Sequence, residues 1–107
     1  MEEFEEICFG IITNVGTARS EYIEAIHLAK EGDFEGAELK IQEGKKFFLE
    51  GHRIHAELIT REAAGDTVKT GLILLHAEDQ LMSAEAFSIL ANEFIDVYKK
   101  INGEALE

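Results

Sequence analysis

The sequence contains no proline. Helices of many turns can therefore run uninterrupted, since proline is the residue that removes a helical N–H and clashes with the preceding turn. Cysteine is nearly absent: Cys8 stands alone, which excludes an internal disulfide and fits a reducing compartment. Basic residues are scarce, with 10 Lys and Arg against 22 Asp and Glu. This balance argues against DNA or RNA as a partner, because phosphate backbones are held by clustered Lys and Arg. It equally disfavours an anionic membrane surface and suits a basic protein partner.

Long apolar runs are missing too. The first, Ile7 to Ile12, is interrupted by Gly10 and preceded by acidic residues, where a secretion signal carries basic ones. Nothing approaches the roughly 20 apolar residues of a membrane span. The chain reads as a soluble cytoplasmic protein. Its 107 residues fit one domain, 1–107. A domain of this size buries only about two-thirds of its unfolded surface, so oligomerisation is a natural way to bury more. The final Leu106-Glu107 has the look of a cloning remnant and carries no weight.

What the sequence does hold is helical periodicity. The breakers Glu31-Gly32-Asp33, Ala64-Gly65-Asp66-Thr67 and Asn102-Gly103 divide it into three segments of about 30 residues. In the first, Phe4, Cys8, Ile11, Val15, Ala18, Tyr22, Ala25 and Ala29 recur at alternating spacings of four and three, the signature of one helix face. Glu2, Glu3, Glu5 and Glu6 suit the positive end of its dipole. Asp33 is an expected N-cap for the second helix, whose stripe runs Phe34, Ala37, Ile41, Gly44, Phe48, Gly51, His55 and Leu58. Glycine costs a helix about 1 kcal/mol against alanine, so Gly44 and Gly51 on the seam predict close packing of a neighbour.

The third helix is predicted from about Thr67 to Ile101, and it carries two stripes. One reads Ile73, His76, Gln80, Ser83, Phe87, Leu90, Phe94, Val97 and Ile101. The other, one residue round, reads Leu72, Leu75, Asp79, Met82, Ala86 and Ile89. So wide an apolar face exceeds what packing on two sister helices requires. It predicts that the third helix forms the centre of a homo-oligomer. Asp79 is the anomaly, a carboxylate in an apolar row where burial is costly. Two readings stay open on pattern alone. Either it is solvated at the stripe's edge, or copies of it meet on a symmetry axis and share a cation or a proton. Oxygen ligands suit Mg²⁺ or Ca²⁺.

The segment Leu74-Leu75-His76-Ala77-Glu78-Asp79-Gln80-Leu81-Met82 resembles the signature of the lactose/cellobiose-type enzyme IIA proteins of the sugar phosphotransferase system, close to V-H-A-Q-D-H-L-M. The likeness continues through Gly10-Ile11-Ile12 with Asn14, Gly16 and Ala18-Arg19-Ser20, through Ala29-Lys30-Glu31-Gly32-Asp33-Phe34, and at Glu50-Gly51-His52. It covers nearly the whole chain in order. The resemblance implies an all-α fold, an antiparallel three-helix bundle assembled as a homotrimer of nine helices. It also implies a phosphotransferase component in which His76 accepts a phosphoryl group on Nε2 from phospho-HPr. His76 then passes the group to a cysteine of the IIB component during uptake of lactose-, cellobiose- or chitobiose-class sugars. The residue matching Asp79 lies on the threefold axis, where three subunits share a divalent cation, Mg²⁺ being the expected ion. Two residues depart from the pattern: Glu78 stands for glutamine and Gln80 for histidine. Glu78 brings a negative charge close to a residue that must carry phosphate, unless its side chain turns away. Gln80 retains an amide donor.

The chemistry suits histidine, whose neutral imidazole is nucleophilic at physiological pH. Phosphoryl transfer asks a protein mainly for positioning and charge stabilisation. The other candidates read as structural. Glu24 and His27 form a single Glu-x-x-His where a di-iron bundle has two, and His27 lies off the seam as a solvated residue. His52 and His55 share a face without further metal ligands at suitable spacing. His55 is expected to be packed and hydrogen-bonded, and Cys8 to pack as a small hydrophobe. Arg19 is expected in an ion pair, or near the phosphate of a neighbouring subunit. The competing functions are a metal-binding oxidase or store, and a regulatory adaptor that keeps the IIA fold without efficient transfer.

Overall fold

A computed structural model describes residues 2–103, so the Leu106-Glu107 pair lies outside the described residues. It consists of three helices, α1 (Glu3–Lys30), α2 (Phe34–Ala63) and α3 (Leu72–Ile101), with no strand among the described residues. The bundle measures 54 × 25 × 19 Å. The short turn after α1 makes α2 antiparallel to it, and α3 returns parallel to α1.

Each boundary has a local cause. Gly32, Gly65 and Gly103 all adopt positive φ, at 88°, 98° and 76°, directly after the three helices. At the first turn the Asp33 N–H donates to the Leu28 carbonyl and the Gly32 N–H to that of Ala29, closing α1 as a glycine C-cap does. Asp33 then caps α2, its Oδ1 accepting the Gly36 N–H at 2.9 Å. The acidic first turn of α1 is present as expected, with Glu3, Glu5 and Glu6.

The seams of α1 and α2 are those the periodicity marks. Cys8, Ile11, Val15, Ala18, Tyr22, Ala25 and Ala29 are buried on α1, and Ala37, Ile41, Gly44, Gly51 and Leu58 on α2. Both seam glycines let the helices approach: a Cβ on Gly51 would stand 2.6 Å from Val15 Cγ1. The core has two parts. Cys8, Ile11, Val15, Leu58, Leu74, Ala77, Leu81 and Ala84 fill the end beside the 64–71 connection, and an alanine-rich group around Tyr22, Ile41 and Ile95 fills the other.

α3 corrects the sequence reading in two respects. It begins at Leu72, five residues later than Thr67. Thr67, Val68 and Thr70 are β-branched and Gly71 is a weak helix former, while Val68 leaves the helical path to pack against the core. More importantly, the buried row of α3 is a third one: Leu74, Ala77, Leu81, Ala84, Ala91 and Ile95. Small residues on this row let α3 sit close to its sisters. The second stripe is therefore left on the surface of the single chain, with Leu72, Leu75, Met82 and Ile89 all more than half exposed. Of the first, Leu90, Phe94, Val97 and Ile101 are exposed as well. No helix among the described residues is long and apolar enough to cross a membrane.

Candidate functional site

His76 is the fifth residue of α3, and its side chain is exposed. It lines an open groove of about 470 Å³ with Leu72 and Ile73 of its own helix and Phe9 and Ile12 of α1. Side chains on a helix lean toward its N-terminus, so the imidazole leans toward the first turn of α3. That turn has no acidic residue and no side-chain cap. Its free N–H groups and the positive end of the helix dipole favour an anion carried on the ring. The groove walls are otherwise apolar, so the histidine is the one group there with nucleophilic chemistry.

Four residues on, Gln80 is half-buried on the same side of α3. Asp79 is exposed among the exposed Leu72, Leu75 and Met82. Glu78 is elsewhere. At about 100° per residue it stands about 200° round the helix from His76, on the side facing α2. There its Oε1 lies 3.3 Å from His55 Nε2. His55 is largely buried, with 16% of its side chain exposed. The pair shares a cavity with Leu58, Ile59, Glu62, Leu74 and Leu75. The departure that threatened phosphate on His76 is thus turned away from it, and the packed, hydrogen-bonded role expected of His55 has a specific partner.

The remaining candidates divide. Cys8 is fully buried, and its thiol is pushed above its ordinary pKa by burial first and by the charges of Glu5 and Glu78 second. His27 is exposed and reaches only Glu24, at 3.7 Å. His52 is exposed and leans on Phe48, with ring centroids 6.1 Å apart. The ion pair expected for Arg19 is not formed among the described residues: Glu21 instead pairs with Lys40, and Glu24 with His27. Arg19 is half-buried in a row with Ile12 and Ile23. Phe9 lies off the apolar row that periodicity marks on α1, and with Ile12, Gly16, Arg19 and Ile23 it forms a second face beside α3.

A long three-helix bundle with a histidine exposed at an open apolar groove has the form of a helical protein that meets its partner through that face. The chain matches the family model for the lactose/cellobiose-specific IIA subunit of the phosphotransferase system over residues 6–99. It is 41% identical over 100 residues to the lichenan-specific phosphotransferase enzyme IIA component of Bacillus subtilis (strain 168), covering 94% of this chain and 91% of that one. The crystal structure of the cellobiose-specific enzyme IIA from Bacillus anthracis superposes with a TM-score of 0.95 at 39% identity, covering 98% of this chain and 96% of that one. The IIA(chitobiose)–HPr complex of the Escherichia coli phosphotransferase system gives a TM-score of 0.82 at 33% identity, over 95% of this chain and 99% of that one. The protein belongs to the lactose/cellobiose-specific IIA family.

Proposed function

We propose that the protein is the phosphocarrier of a β-diglycoside phosphotransferase system, taking a phosphoryl group from phospho-HPr on His76 Nε2 and passing it to a IIB cysteine. The observation that carries this reading is the placement of His76, exposed at an open apolar groove within the stretch that matches the family. A IIA relative of closely similar fold has been solved bound to HPr. The whole chain, 1–107, acts as a single domain, and its site of action is the cytoplasm.

The chemistry needs few groups. His76 attacks phosphorus in line through the lone pair of Nε2. The Nε2–P bond forms as the bond to the donor breaks, and the electron pair of the broken bond stays with HPr. Nδ1 keeps its proton. In the second transfer the IIB thiolate displaces Nε2, which regains its lone pair. The first turn of α3 stabilises the added charge, and the apolar rim formed by Phe9, Ile12 and Leu72 offers the donor and acceptor proteins a surface to dock on.

Assembly as a homotrimer is part of this reading, and α3 supports it. Its second stripe, exposed in one chain, is an apolar face of the kind that marks an interface. A threefold axis along it brings three Asp79 carboxylates together. Among the described residues no single chain gathers three side chains able to hold a metal ion, so a cation at Asp79 draws its ligands from several copies. Three carboxylates completed by waters suit Mg²⁺, which prefers six oxygens and keeps part of its hydration. The cation would neutralise the axis; the transfer steps are made by His76.

The test is incubation with phospho-HPr, followed by intact mass and acid lability of the adduct, for wild type and His76→Ala. An acid-labile phosphate on the wild type alone is expected. No phosphate on the wild type would overturn the carrier reading in favour of an adaptor that keeps the fold.

A further inference from the structure

We propose that His55 is a positioning residue for the transfer, a latch on α2 that holds the Glu78 carboxylate away from the phosphorylated histidine. The inference rests on the carrier reading above. Three observations carry it. Glu78 lies two residues from His76 in a chain of net charge −12, so its charge opposes the dianionic group His76 must receive. Its carboxylate is engaged at 3.3 Å by His55 Nε2 across the α2–α3 seam. And His55 is largely buried while Glu78 is nearly half exposed, at 16% and 46%, so the fixed member of the pair is the imidazole and the movable one the carboxylate.

The surroundings explain why the carboxylate needs holding. The cavity around the pair also admits Glu62 of α2, and on α1 Cys8 senses the charges of Glu5 and Glu78. Of the side chains lining this cavity, His55 is the one hydrogen-bonded to Glu78, and the carboxylate of Glu62 repels it. Without His55, the carboxylate is driven from Glu62 and outward over the exposed side of α3.

That direction matters in the trimer. A threefold axis parallel to α3 leaves every residue at its own height. The α2-facing side of one α3, which carries Glu78, then abuts the α1-facing side of the next, which carries His76. The two residues differ in height by only about 3 Å, two steps of 1.5 Å. A released Glu78 therefore approaches the neighbour's His76 as well as its own.

The experiment measures the rate of transfer from phospho-HPr and the half-life of the phosphohistidine at neutral pH. The variants are wild type, His55→Ala, His55→Gln, Glu78→Gln and His55→Ala/Glu78→Gln, with a thermal melt of each. His55→Ala is expected to slow phosphorylation by roughly threefold to tenfold, the range one extra charge produces at about 7–10 Å in a partly screened site. His55→Gln keeps a donor for the carboxylate and should hold the wild-type rate. The double variant should recover it, although its melting temperature stays low. A purely structural pair gives the opposite pattern, with His55→Ala and the double variant equally impaired. That pattern, or an unchanged rate in His55→Ala, overturns the latch while wild-type phosphorylation keeps the carrier reading standing. Wild type that accepts no phosphate fails the carrier reading itself.

Discussion

Gly44 of α2 lies flat against the ring of Tyr22 on α1: a Cβ at that glycine would stand 2.6 Å from Tyr22 Cε1. Tyr22 is almost wholly buried, at 1% exposure, so its ring is held by the core packed around it. Alanine at position 44 gains about 1 kcal/mol of helix propensity but must displace the ring, and overpacking of this kind costs about 1–3 kcal/mol. Gly44→Ala should therefore range from neutral to destabilising by about 2 kcal/mol. Gly10 supplies the contrast, because a Cβ there meets only the tip of Ile54 at 3.4 Å. Gly10→Ala should be neutral or gain up to about 1 kcal/mol. Thermal or urea melts of the two variants separate the outcomes.

The same pair shows how far the sequence could be read. On α1 and α2 one buried row dominates, and spacings of three and four picked it out almost residue for residue, glycines included. On α3 the pattern pointed to two rows, and the chain buries a third. Leu74, Ala77, Leu81, Ala84, Ala91 and Ile95 are half alanine, a residue that fits surface and core alike, so nothing in their chemistry ranked them above Leu72 or Phe94. The excess of apolar rows was legible, and their assignment was not. At the candidate site, the motif points to His76 and the awkward carboxylate to Asp79, and both lie exposed on α3. The His55–Glu78 contact was not legible, because it joins residues 23 apart in sequence on different helices, and periodicity within one helix carries no such information.

Alkaline pH should weaken the fold. Burial, then Glu5 and Glu78, raise the Cys8 pKa, and burial raises that of Tyr22 against a smaller opposing effect of the Ser88 hydrogen bond. In the unfolded chain a thiol ionises near about 8.5 and a phenol near about 10. Between those values and the raised folded ones, the unfolded state has lost protons that the folded state keeps, so stability falls as pH rises. The contribution is complete below about pH 8.5 and declines above it. Denaturant midpoints at pH 7.5 and 9.5 should show the loss, and Cys8→Ala should remove its lower part. Native Cys8 should also resist alkylation until the protein is unfolded.

The exposed stripe of α3 gives a test of assembly that barely touches the single chain. Leu75 and Met82 are 56% and 70% exposed, so replacing both with glutamate removes little packing within one bundle. In a trimer built on that face it would place six carboxylates beside the axis. Leu75→Glu/Met82→Glu should sediment as a monomer with unchanged helical circular dichroism, and sedimentation velocity reads the difference. A double variant that remains trimeric would place the interface elsewhere, leaving the Phe9, Ile12 and Ile23 side of α1 as the next candidate.

Asp79 makes the sharpest demand on the assembly. It is exposed in the single chain and lies in line with Leu72, Leu75 and Met82, so the contact that covers those residues also covers the carboxylate. Three such carboxylates brought together on a threefold axis would repel one another. In the proposed trimer a shared divalent cation would offset that repulsion and would make the assembly sensitive to chelation. EDTA should lower the melting temperature of the wild type or shift its sedimentation toward smaller species, and added Mg²⁺ should restore both. Asp79→Leu takes away the repulsion and the ligand together and completes the apolar stripe. That variant should stay trimeric in EDTA, melt no lower than the magnesium-loaded wild type, and still accept phosphate on His76, whose groove Asp79 does not line. Chelator sensitivity that survives in Asp79→Leu would place the cation on other residues. Loss of phosphorylation in a stable Asp79→Leu trimer would mean that the axis and the groove are coupled.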